Sequence, residues 1–128
     1  MQQRQLGKIL NNHKEWLNSN GKSGKRANFE NANLENANLE NENLKNVNLE
    51  NANLENANLK NANLENANLF NANLKNADLE NANLYSADIR HANLYNADLR
   101  HANLRDANLE NADLEDIEDY GLFINKKK

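Results

Sequence analysis

Ala27-Asn28-Phe29-Glu30-Asn31, Ala32-Asn33-Leu34-Glu35-Asn36, Ala37-Asn38-Leu39-Glu40-Asn41: from residue 27 the chain reads in fives, and it continues without a gap to Ala112-Asp113-Leu114-Glu115-Asp116. These are 18 pentads with no insertion. A period of five suits neither regular element. On a helix each step of five turns the Leu by about 140°, so the Leu residues would wander around the axis. On a strand five is odd, so successive Leu residues would point to opposite faces. Ala and Leu, two apart, do share a face in a short extended segment. Keeping every such pair on one side requires a bend in each pentad, so the chain must coil with its apolar pairs inside. Coils stacked about 4.8 Å apart satisfy their backbone groups from the coil above and below. Periodicity alone leaves open how many bends close a coil.

The repeated Ala-[Asn/Asp]-Leu-x-x resembles the pentapeptide-repeat family over residues 27–116, about 70% of the chain. The resemblance implies an all-β solenoid, a right-handed quadrilateral parallel β-helix with four pentads per coil and about 4.5 coils, rising roughly 22 Å at one strand spacing per coil. It also implies that Phe29, the Leu column from Leu34 to Leu114 with Ile89, and the Ala column from Ala27 to Ala112 point inward. Two residues of the Ala column depart from the pattern, Val47 and Glu42. Val47 is a modest enlargement. Glu42 places an anomalous inward charge in the first coil, and an unpaired buried carboxylate costs several kcal/mol or becomes protonated. It reads either as a binding carboxylate or, the favoured reading, as one half of an ion pair with His13, Lys22, Lys25 or Arg26.

The chain divides into 1–26, 27–116 and 117–128. Leu6, Ile9, Leu10, His13, Trp16 and Leu17 recur at intervals of three and four, which predicts an amphipathic helix over residues 4–18 ended by Gly21 and Gly24. Its apolar face is expected to cover the open end of the stack, because an uncovered solenoid end is a template for aggregation. The run from His13 to Ala27 is similar to the leader that precedes the repeats in many bacterial, notably cyanobacterial, members of the family. Beyond Asp116 the repeat decays, with Asp119 where Leu is expected, and Tyr120, Leu122, Phe123 and Ile124 follow. This segment is expected either to fold over the last coil, leaving a monomer, or to join two chains end to end as a homodimer.

Composition narrows the function. Asn, Leu and Ala make up 68 of the 128 residues, and the mean hydropathy of −1.03 would suggest disorder had the order of residues not shown otherwise. With no Cys there is no disulfide framework, thiol nucleophile or Cys-based metal centre. The opening Met1–Leu6 lacks a secretory apolar run and no segment approaches a membrane span, so a cytoplasmic chain without membrane contact is expected. His91 and His101 lie two pentads apart, on opposite faces, and no Ser has a His/Asp partner at a predictable distance. No catalytic, cofactor or metal site is expected, and the chain is read as a non-enzyme.

Function is then left to the residues that face outward. Taken every 20 residues, Glu35, Glu55, Lys75, Tyr95 and Glu115 form one column, which with Asp113 and Asp116 nets −4. A second column, Glu40, Lys60, Glu80 and Arg100, alternates in sign. Phe70 and Tyr85 are further outward aromatics, on two other faces, and exposed aromatics are enriched at interfaces. Residues 1–26 carry +5 and residues 27–116 carry −10. An acidic rod repels phosphate, which argues against direct nucleic-acid binding. Its charge density is comparable to that of duplex DNA, and some pentapeptide-repeat proteins that confer quinolone resistance are thought to mimic DNA and bind gyrase. The expected function is a non-catalytic scaffold for an unidentified protein partner, with DNA-mimicking modulation of gyrase or topoisomerase as the alternative.

Overall fold

The computed structural model describes residues 1–119. It opens with one helix, α1 (Gln3–Asn18), and continues as a four-sided coil. The coil has no long strands. Each pentad contributes one isolated parallel bridge at the residue before Leu, and every bridge joins positions 20 apart, from Asn28–Asn48 to Asp98–Glu118. Four pentads therefore complete one circuit.

The pentad explains each corner. Leu34 N–H donates to Asn53 O at 2.7 Å and Asn36 N–H to Glu55 O at 2.9 Å, so the extended part is tied to the next coil. Ala37 N–H then donates back to Leu34 O at 3.0 Å and closes a four-residue turn. The residue at the third position of that turn, Asn36, has φ +63°. A positive φ at this position is the demand of a type II turn, met by Gly or Asn. All 18 closing residues, from Asn31 to Asp116, share it, with φ between 58° and 67°. The residue before each Leu secures the same bend from its other side. Its side-chain oxygen accepts the N–H two residues on in all 18 pentads, as in Glu35 N–H to Asn33 Oδ1 at 3.0 Å.

The core is a stack of Leu layers separated by Ala. Leu39 to Leu69 are fully enclosed, and Ala52 to Ala102 are buried beside them. Val47 is absorbed and buried. Amide ladders between the closing Asn side chains are sparse: Asn71 to Asn51 at 2.8 Å and Asn96 to Asn76 at 2.9 Å. Others run up the column before Leu, such as Asn73 to Asn53 at 3.2 Å. The closing Asn therefore serves the backbone first.

Helix α1 rests on the first coil. Leu6 is buried in the core, and Ile9 and Leu10 pack against it. His13 is fully buried: its Nδ1 accepts Ala27 N–H at 3.0 Å and its Nε2 lies 3.0 Å from Lys45 O. Accepting at Nδ1 leaves Nε2 as the protonated nitrogen, which donates to the Lys45 carbonyl. The amino group of Met1 donates to Asn33 O at 2.8 Å. The helix ends by a different residue from the one expected. Asn20, at φ +57°, donates to Leu17 O, and Gly21 N–H reaches Trp16 O at 2.8 Å, which together form a Schellman closure with Asn in the left-handed position.

Candidate interaction surface

The 20-residue register sets the outward side chains in columns. Glu35, Glu55, Tyr95 and Glu115 lie in one of them, as the spacing requires, together with Lys75. There Lys75 Nζ sits 5.9 Å from the Tyr95 ring centroid. The Asp116 carboxylate beside the Tyr95 hydroxyl, with the other negative charge around it, raises the Tyr95 pKa. Glu35 and Glu115 are exposed, whereas Glu55 and Tyr95 are half-buried.

Phe70 and Tyr85 stand on two other faces, so the six candidate surface residues form no single patch. Phe70 has neighbours that the sequence reading did not assemble. The Arg90 guanidinium lies 5.1 Å from its ring centroid and the His91 ring meets it edge-on at 5.3 Å. Arg90 is held in place by Asp88, through Nε to Oδ1 and Nη2 to Oδ2, both at 2.8 Å. The same contact holds the Asp88 carboxyl below its ordinary range. The signal was available in the 20-residue spacing of Phe70 and Arg90, since stacked columns bring such a pair together.

The alternating column is paired from Lys60 to Arg100. Lys60 reaches Glu80 at 3.8 Å, and Arg100 reaches Glu80 at 3.6 Å, Asp98 at 2.6 Å and Glu118 at 3.4 Å. Lys45 and Glu65 stand 4.0 Å apart on another face. Exposed pairs of this kind contribute about 0–1 kcal/mol each. Asp78, Glu80 and Asp98 bring carboxylate oxygens within 4.8 Å of one another. Lys60 and Arg100 already share that charge, and the Arg100 contact lowers the Asp98 pKa.

Glu42 departs from expectation. It is half-buried, because it belongs to the first coil and has no coil beneath it. His13 spends both ring nitrogens on backbone groups. Among the described residues Glu42 forms no ion pair with His13, Lys22, Lys25 or Arg26, and solvent access replaces the counterion. Tyr120, Leu122, Phe123 and Ile124, the residues of the expected end-to-end contact, lie outside the described residues. No helix among the described residues is long and apolar enough to cross a membrane.

A family model described as pentapeptide repeats matches eight copies, over residues 27–66, 48–85, 62–100 and 82–117. The chain is similar to the crystal structure of the pentapeptide repeat protein Rfr23 from the cyanobacterium Cyanothece 51142, with 40% identity, a TM-score of 0.73, and 77% of this chain and 68% of that one covered. It is also similar to alr5209, a pentapeptide repeat protein from Nostoc Pcc 7120, with 37% identity, a TM-score of 0.45, and 77% of this chain and 73% of that one covered. No curated protein matches the sequence. With 18 pentads in register, a bridge every 20 residues and these matches, the chain belongs to the pentapeptide-repeat family, whose fold is the right-handed quadrilateral β-helix.

Proposed function

We propose that this protein is a non-catalytic scaffold that displays fixed columns of side chains to a protein partner in the cytoplasm. The observation that carries the reading is the 20-residue register, which holds Glu35, Glu55, Lys75, Tyr95 and Glu115 in one line on a rigid backbone. A backbone that already fixes the spacing of these positions needs little ordering on contact, which favours recognition by such a face. In this reading residues 1–26 act as an N-terminal cap with α1 over the open end, residues 27–116 form about 4.5 coils, and residues 117–128 are a C-terminal cap or tail.

Changing Glu35, Glu55 and Glu115 together to Lys tests the reading, by affinity capture from the native host with both versions of the protein. Loss of a specific partner from the variant supports the acidic column as the contact surface. Identical partners for both versions remove it. Mimicry of DNA rests on the net −10 of residues 27–116, but Lys45, Lys60, Arg90 and Arg100 pair with carboxylates and interrupt the acidic surface. A gyrase supercoiling assay separates the two readings: inhibition at micromolar protein would favour mimicry, and unchanged supercoiling discards it.

A further inference from the structure

Where α1 meets the first coil, Ile9, Asn12, Lys25, Arg26 and Asn28 line a recess of about 170 Å³ that opens to solvent. On a scale where one water needs about 10–15 Å³, this is room for on the order of ten waters, hence for a small organic molecule. Its walls are fixed from both sides. Lys25 N–H donates to Asn12 O at 3.1 Å, and Ala27 N–H is bound by His13, so Arg26 lies between two anchored residues. Gly24 packs so closely on the helix that a Cβ there would stand 2.5 Å from Asn12 O. The backbone is therefore held without help from the Lys25 and Arg26 side chains. Among the described residues neither of them meets a carboxylate, although the 90 residues that follow carry sixteen. Asn28 Oδ1 accepts Glu30 N–H at 3.0 Å, which leaves its amide NH₂ as a donor toward the recess. Two cations, amide donors and one apolar wall from Ile9 are the complement of a dianion with a short apolar stem.

We infer that the recess between α1 and the first coil binds a small dianion, a dicarboxylate or a phosphomonoester, through Lys25 and Arg26, with the amide of Asn28 as donor and Ile9 against the stem. This site is independent of the acidic column and of any protein partner found there. It is tested on the full chain by following backbone amide signals during titration with succinate, with glycerol phosphate and with acetate, at constant ionic strength. The expected result is saturable shifts confined to Asn12, Lys25, Arg26 and Asn28, with succinate or glycerol phosphate at least tenfold tighter than acetate. The tighter of the two dianions identifies the source of the charge. Lys25→Gln and Arg26→Gln, each checked for an unchanged melting temperature without ligand, are expected to weaken binding at least tenfold. Three results overturn the inference: no shifts at about 10 mM dianion, an affinity too weak to matter; equal shifts at Lys45, Lys60 and Lys75; or glutamine variants that bind as the parent does. The paired variants make a general effect on folding visible as a change in melting temperature, so loss of binding with the fold intact reads the site itself.

Discussion

Asn56 sits at φ +63°, where a β-branched side chain brings its Cβ against the following carbonyl. Asn56→Val is therefore expected to lower stability by about 1–2 kcal/mol, while Asn56→Gly stays close to neutral. Urea midpoints of the two variants check this, and equal midpoints would remove the backbone account of the Asn column. The sequence carried the signal in an indirect form. Ser86, His91, His101, Asp106 and Asp116 replace Asn at the closing position, and Asn, Asp and His are the non-glycine residues that most readily adopt positive φ. The backbone conformation, more than side-chain ladders, sets the choice of residue in this column. His13 shows the reverse limit. Its helical spacing was legible, but its two hydrogen bonds, to residues 14 and 32 positions away, depend on the docked geometry. Burial is the main cause that holds its pKa below 6.5, with Arg26 adding repulsion, while the bond to Lys45 O opposes them. Just below pH 6.5 the unfolded chain thus binds more protons than the folded one. The contribution to stability is fully present above pH 6.5 and is lost as pH falls through the folded value. Melting temperature should decline in that window for the parent and stay flatter for His13→Gln. Asp88 and Asp98, whose carboxyls are lowered from 3.8, add a separate loss at more acidic pH.

At the scale of the element, α1 and its return segment are held by backbone contacts of very different tightness. Gly24, at φ +74°, would place a Cβ 2.5 Å from Asn12 O and 2.6 Å from Trp16 N, whereas a Cβ at Gly7 would meet nothing within 4 Å. Gly24→Ala is expected to cost about 1–3 kcal/mol and to release the helix. Gly7→Ala is expected to stabilise the helix by about 0.5–1 kcal/mol. Far-UV circular dichroism during thermal melting separates the two, since only the first should lose helical signal before the coil melts. A matching loss in both would contradict the docking of α1. The helix itself was legible from its apolar spacing to within one residue at its start. Its stop was assigned to glycine, yet Asn20 takes the left-handed position and Gly21 only completes the closure. Trp16 was expected in the cap, and it stacks on His13 with ring centroids 5.7 Å apart. The recess lined by Lys25 and Arg26 was illegible, because it exists only once the helix and the first coil meet.

Across the whole molecule, one number organises the core, the bends and the surface. The pentad dictated that the chain must coil, but the count of four bends per circuit came from resemblance, and the bridges at 20-residue intervals supply it as geometry. Charge pairs at that interval, such as Lys60 with Glu80 and Glu80 with Arg100, follow directly. Glu42 was legible as an exception and misread in its environment, because the end of a stack leaves an inward position open to solvent. The absence of native Cys allows the register to be read covalently. Positions 55 and 75 lie one above the other at a coil spacing of about 4.8 Å, within the range of about 4.4–6.8 Å that a disulfide spans. Positions 55 and 65 lie on opposite faces. On mild oxidation of dilute monomer, the Glu55→Cys, Lys75→Cys chain is predicted to form an intramolecular disulfide, and the Glu55→Cys, Glu65→Cys chain to remain reduced. Cross-linking of the 55 and 65 pair with the 55 and 75 pair left reduced would contradict the four-pentad coil and the columns built on it.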